Sequence, residues 1–104
     1  MTPEALRENA GQVSTMLKVL ANEDRLMLLC QLVTGSVNVS QLETATGIKQ
    51  PTLSQQLGIL RQEQLVATDK RGKYVYYRLA DDKVIRIMET LWELYCDSDT
   101  QKVP

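Results

Sequence analysis

The 104-residue sequence has no histidine and only two cysteines, three prolines and five glycines. Without histidine there is no imidazole to ligate a metal or to serve as base in a Ser-His or Cys-His pair, so an enzyme is not expected. The cysteines, Cys30 and Cys96, stand 66 positions apart, which excludes a Cys-x-x-Cys redox motif and metal-finger spacing. Glycine-rich phosphate-binding loops are also missing. The longest unbroken apolar run, Leu26 to Cys30, is far too short to cross a bilayer. The opening Met1-Thr2-Pro3-Glu4 lacks a basic stretch followed by an apolar one, so no secretory signal is visible and a cytoplasmic protein without membrane or cofactor partners is expected.

Net charge is also small, at −1. Its distribution is uneven. Between Ile48 and Leu79, six cations (Lys49, Arg61, Lys70, Arg71, Lys73 and Arg78) oppose two anions (Glu63 and Asp69), a surplus of four that leaves −5 for the rest. Such asymmetry marks a basic surface on an acidic body, the alternative being a chance cluster of solvated charges. With 43% hydrophobic and 24% charged residues, one folded domain over residues 1–104 is expected, with a frayed polar tail from 97 to 104.

Pro3 suits a first helical turn, and Leu6, Ala10, Val13, Leu17 and Leu20 then repeat at helical spacing. Asn22 is a good N-cap for a second helix through Leu32, with Thr34-Gly35 ending it. Ser40-Gln41-Leu42-Glu43 has the form of a capping box, so a short third helix starts there and stops at Gly47. A fourth follows at once, with Gln50 as cap and Pro51 at the first helical position, giving a helix-turn-helix unit. Leu65–Lys70 and Tyr74–Leu79 read as strands, with Asp69-Lys70-Arg71-Gly72-Lys73 forming the hairpin tip. A last helix runs from about Asp81 to about Cys96, with Val84, Ile87, Met88, Leu91, Leu94 and Tyr95 on its apolar side. The fold class is mainly α with one small β-hairpin, in the order α-α-α-α-β-β-α.

The fourth helix is unusual. Leu53, Leu57 and Leu60 form a buried stripe, but the remaining positions are mostly uncharged hydrogen-bonding residues: Gln50, Thr52, Ser54, Gln55 and Gln56. Side chains of this kind pair with base edges in the major groove, without bringing a carboxylate near phosphates. The helix therefore suits DNA recognition, with Lys70, Arg71 and Lys73 on the hairpin reaching phosphates or an adjacent minor groove, Lys49 and Arg78 flanking them, and Arg61 adding a further cation. A partner protein or plain solvent is the competing destination for that face.

The stretch Leu17-Lys18-Val19-Leu20-Ala21-Asn22-Glu23-Asp24-Arg25-Leu26 resembles the opening signature of the ArsR/SmtB family of winged-helix repressors. Leu53-Ser54-Gln55-Gln56-Leu57 with Leu60-Arg61 resembles its recognition helix, and Gly72-Lys73-Tyr74-Val75-Tyr76-Tyr77 its wing. The resemblance covers roughly residues 13 to 96 and implies a homodimeric repressor that binds double-stranded operator DNA and is released by an effector. Gln56 departs from it, since the family usually has His there. A dimer also accounts for surplus apolar surface on the first and last helices, where Leu6, Val13, Leu17, Ile87, Leu91 and Leu94 would meet across a two-fold axis. The alternative is that both stripes cover the chain's own core.

Many relatives sense metals, but Val37–Leu42, where arsenic and cadmium sensors carry Cys-x-Cys, holds no cysteine. Asp81, Asp82, Glu89 and Glu93 read better as a cap and solvent face than as ligands, so no metal site is expected. Each cysteine alone reads as a small buried hydrophobe. Their placement, however, resembles the BigR/SqrR/HlyU subgroup of persulfide and redox sensors. That resemblance implies that Cys30 and Cys96 are neighbours able to form a disulfide or sulfur-bridged link, with a reactive sulfur or oxidant species as inducer. Arg25, about one turn before Cys30, carries the charge that favours a thiolate, but a separation of five residues is a poor facing distance on a helix. An HlyU-like activator or anti-repressor, or a winged-helix protein-interaction module, remains the alternative function.

Overall fold

The structure, a computed structural model, describes residues 2–96. The tail expected to fray, 97–104, lies outside them. Helix α1 (Pro3–Leu20) starts where Thr2 Oγ1 accepts from the Ala5 N–H, with Pro3 at the first helical position. Helix α2 (Glu23–Gln31) is capped by Asn22, whose Oδ1 accepts from the Arg25 N–H at 3.0 Å. A short strand β1 (Val37–Asn38) leads into α3 (Val39–Thr46), and Gly47, at φ 75°, closes that helix in the left-handed region. Then come α4 (Thr52–Gln62), strands β2 (Val66–Arg71) and β3 (Tyr74–Leu79), and α5 (Asp82–Tyr95), which Asp81 caps. Among the described residues no helix is long and apolar enough to cross a membrane.

The expected helices and hairpin are present, with three corrections. The capping box of α3 is built two residues before Ser40. Asn38 Oδ1 accepts from the Gln41 N–H at 2.9 Å, and Gln41 Oε1 accepts from the Asn38 N–H at 3.0 Å. The reason is strand β1, which pairs Val37 with Tyr77 and Asn38 with Tyr76 and so holds the chain extended up to Asn38. Pro51 rather than Gln50 occupies the cap position of α4, although Gln50 still caps through its side chain, Oε1 accepting from the Ser54 N–H at 3.0 Å. The hairpin tip shrinks to Gly72-Lys73, because Asp69, Lys70 and Arg71 continue the ladder opposite Tyr76, Val75 and Tyr74. Gly72 has φ 62°, the positive value that the first residue of a two-residue II′ turn requires.

The sheet is antiparallel with order β1-β3-β2. Its inner face continues a core in which Leu28, Leu29, Leu42, Leu53, Leu57, Leu60, Val84 and Met88 are fully buried. Burying eight such side chains contributes roughly 1.5–3 kcal/mol each before entropy is charged against it. The radius of gyration is 15.2 Å, against about 13 Å for a compact domain of this length. Helix α1 helps to explain the excess, since only Val19 and Leu20 of its eighteen residues are buried.

Candidate nucleic-acid interface and thiol pair

Helix α4 is anchored through its leucine stripe, so its remaining faces follow from geometry. Ser54, Gln55 and Arg61 are exposed, Thr52 is half-buried, and the Gln50 side chain is engaged at the helix start. Gln56 turns inward: its Oε1 accepts from Arg25 Nη1 at 3.0 Å. The Arg25 Nε also donates to the Val19 carbonyl at 2.6 Å and Nη2 to the Lys18 carbonyl at 3.5 Å, so one guanidinium joins the end of α1, the start of α2 and the middle of α4. Arg25 is thus committed away from Cys30 and does not serve as its counter-ion.

Next to α4 stands the hairpin, whose cations point in two directions. Ladder partners share a face, so Arg71 lies with Tyr74 and Tyr76, whereas Lys70 lies with Val75 and Tyr77. Arg71 Cζ sits 4.6 Å from the Tyr76 ring centre and Lys73 Nζ 5.5 Å from that of Tyr74, contacts that stiffen both side chains without using up their charge. Arg78 differs, because its Nε donates to Asp69 Oδ2 at 3.1 Å and the two charges cancel. Lys49 lies 3.9 Å from Glu43 in an exposed pair too loose to hold it. The free cations of the basic segment are therefore Lys70, Arg71 and Lys73 on the hairpin, with Lys49 and Arg61 flanking α4.

The cysteines lie near the C-terminal ends of α2 and α5. Both are free thiols; Cys30 is half-buried in α2, and exposed Cys96 is the C-cap of α5. Met88, Trp92 and Cys96 follow one another at four-residue intervals, a single row along α5. Met88 and Trp92 line a cavity of about 270 Å³ together with Cys30, Val33 and Thr34. The row that ends in Cys96 thus faces the wall of α2 that carries Cys30. Burial first, and the nearby Cys96 charge second, push the Cys30 thiol above its ordinary pKa of 9.0. Among the described residues no group of three or more Cys, Asp or Glu could hold a metal ion.

On the apolar surface, Leu6, Val13 and Leu17 of α1 and Leu94 of α5 are each half or more exposed, while Ile87 and Leu91 are partly covered by the core. Of the expected interface residues, four therefore lie open and two are shared with the interior.

A profile of bacterial regulatory proteins of the arsR family matches residues 22–68. The biofilm growth-associated repressor of Agrobacterium fabrum is 46% identical over 92 residues, covering 88% of this chain and 79% of the relative. The chain belongs to the ArsR family. The crystal structure of the transcriptional repressor BigR from Xylella fastidiosa, 43% identical, matches with a TM-score of 0.87 over 92% of this chain and 98% of that one. The transcriptional activator HlyU of Vibrio cholerae is 34% identical over 99 residues, covering 95% of this chain and 92% of its own. The structure of reduced HlyU, at 35% identity, matches with a TM-score of 0.85 over 90% and 99% of the two chains. This ArsR-family chain is a transcriptional regulator with the winged-helix fold, and the relatives are named as regulators, not enzymes.

Sequence reasoning missed two features of this ArsR-family regulator. One is strand β1, whose two residues are too few for a periodicity to register. The other is the tie between Arg25 and Gln56, distant in sequence and visible only once α2 and α4 pack.

Proposed function

We propose that this ArsR-family regulator is a homodimeric DNA-binding repressor whose hold on its operator is switched by cross-linking Cys30 to Cys96. The observation that carries the reading is that Cys30 shares its cavity with Met88 and Trp92, whose helical row continues to Cys96. A cross-link between them would bind the end of α5 to α2. Because Arg25 on α2 holds Gln56 on α4, a shift of α2 would reach the recognition helix directly.

Operator binding is supported by the division of labour around α4. Ser54 and Gln55 offer hydrogen bonds to base edges, while Lys70, Arg71 and Lys73 on the wing, with Lys49 and Arg61, offer charge to phosphates. Dimerisation is supported by α1, an eighteen-residue helix of about 27 Å that buries only its last two residues. Helices so poorly covered gain their stability from a partner surface. Pairing α1 and α5 across a two-fold axis would bury Leu6, Val13, Leu17, Ile87, Leu91 and Leu94 and set two α4 helices about 34–36 Å apart, the spacing of successive major grooves.

The chemistry balances with a persulfide, R–S–SH, as inducer. One cysteine thiolate takes the outer sulfur and releases R–S⁻, leaving a protein persulfide; the second cysteine then attacks its inner sulfur, forming the disulfide and releasing H₂S. Hydrogen peroxide reaches the same cross-link through a sulfenic acid, with water as the leaving molecule at each step.

The test is a gel-shift titration of reduced protein, oxidised protein and Cys30→Ser on operator DNA. Reduced protein and Cys30→Ser should bind alike, and oxidant should release only the former. Release of Cys30→Ser by the same oxidant would remove the switch. A second reading, activation through displacement of another repressor, is favoured by the similarity to the activator HlyU. Reporter transcription in a deletion strain separates the two by the sign of the change.

A further inference from the structure

The cavity beside Cys30 has a chemical character that bears on what can enter it. Cys30, Val33, Thr34, Met88 and Trp92 line it between the end of α2 and the second half of α5. No charged side chain contributes to the wall, and Thr34 supplies the one hydroxyl. Met88 is fully buried, whereas Trp92 remains 55% exposed at the rim. At about 270 Å³ the space is generous for a small organic group, since an apolar cavity of about 150 Å³ already holds benzene.

We infer that this cavity seats reactants that oxidise Cys30 and that, among organic disulfides, it admits small uncharged ones, the alkyl or aryl group against Met88 and Trp92 and the sulfur–sulfur bond at Cys30. The inference rests on the thiol-switch reading and adds the chemical class of the reactant. A carboxylate or ammonium group entering the cavity loses hydration and finds no partner in the wall, a loss that a neutral group escapes. Burial that keeps Cys30 protonated lowers its thiolate fraction toward every reactant alike, but the thiolate that does form is the more nucleophilic for its basicity. Seating the reactant beside the sulfur then favours molecules that bind over molecules that merely collide. Cys96, exposed at the helix end, imposes no such selection.

The steps balance without a further reactant. Cys30 gives its proton to water and its sulfur bonds to one sulfur of R–S–S–R; the S–S bond breaks, and R–S⁻ leaves and takes up a proton. Cys96, one turn beyond Trp92, then attacks the Cys30 sulfur of the mixed disulfide and expels the second R–SH. Two protein thiols are oxidised to the Cys30–Cys96 disulfide, and the reactant is reduced to two thiols.

The test compares dipropyl disulfide, hydroxyethyl disulfide and glutathione disulfide on the full reduced chain. The rate of Cys30–Cys96 cross-linking, mapped by peptide mass, is divided by the rate of the same reagent with an unstructured cysteine peptide, which removes intrinsic reactivity. The normalised rate for dipropyl disulfide should exceed that for glutathione disulfide by about tenfold or more, with saturation in the former. Thr34→Lys, at an exposed rim position, should raise the glutathione disulfide rate and lower the dipropyl rate, and Trp92→Ala should lower the dipropyl rate alone. Equal normalised rates would overturn the selection while leaving the thiol switch standing. Failure of all three reagents to cross-link the cysteines, in a chain that peroxide or persulfide does cross-link, would also overturn the selection alone; failure of every oxidant would overturn both.

Discussion

Arg25 Nη1 donates to Gln56 Oε1 at 3.0 Å, joining the helix that carries Cys30 to the helix that carries Ser54 and Gln55. The same guanidinium holds the Val19 carbonyl at the end of α1. Three helices therefore meet at one planar group, whose fixed fork of donors resists rotation better than an ammonium could. The sequence alone places Gln56 among the residues facing DNA, whereas in the structure its side-chain oxygen accepts from Arg25.

Gln56→Ala should cost about 1.5–3 kcal/mol in unfolding free energy, the worth of a hydrogen bond to a charged group. It should also shrink the ratio of operator affinities between reduced and cross-linked protein, because α2 would no longer hold α4. Denaturant melts and fluorescence anisotropy measure the two effects separately. An unchanged affinity ratio would show that coupling bypasses this bond.

The hairpin cations should act on every duplex alike. Lys73→Ala and Lys70→Ala should each flatten the slope of log affinity against log salt by about one and weaken random and operator DNA by similar factors. Arg78→Ala should change the slope less than either, since Arg78 is already paired with Asp69. Titrations at several salt concentrations check this, and a loss confined to one sequence would contradict the phosphate role.

Exposed residues of α4 should behave in the opposite way. Ser54→Ala and Gln55→Ala should each cost about 1–3 kcal/mol at the operator and little on random DNA. Gln50→Ala should act mainly through the helix start, where its oxygen accepts from the Ser54 N–H, and so lower stability along with affinity. Competition binding against single-base operator variants distinguishes these outcomes.

Cys30 should alkylate with a pH midpoint above the ordinary 9.0, burial being the larger cause and the Cys96 charge the smaller. Cys96→Ser should lower that midpoint without returning it to the ordinary value. The sign for stability follows: the folded chain holds this proton more tightly than the unfolded one, so stability is undiminished below the unfolded thiol value. It falls as pH rises from there to the folded value, and neutral solutions show no effect. Iodoacetamide rates across the alkaline range, read peptide by peptide, provide the check.

Most of the architecture was legible because it rests on local signals. Asn22 and Asp81 cap helices as their residue types suggest, and Leu53, Leu57 and Leu60 are buried as their spacing requires. The failures came where distant pairing overrode local chemistry. Ser40 has the sequence form of a cap, but the ladder from Val37 and Asn38 to β3 fixes the helix start earlier. At the hairpin, the charged run from Asp69 to Arg71 looks like a loop, yet Tyr74, Val75 and Tyr76 draw it into strand. The residue types of the proposed nucleic-acid face are visible in the sequence, but which of their side chains are free is not. Gln56 is claimed by Arg25 and Arg78 by Asp69, and both bonds depend on packing.

The most direct measurement isolates the operator-bound and released fractions of oxidant-treated protein and weighs each intact, with peptide mapping of Cys30 and Cys96. The released fraction should carry the intramolecular link between the two sulfurs, and the bound fraction should carry two free thiols. Finding the link equally in both fractions, or finding released protein with both thiols free, would contradict a switch built on this pair.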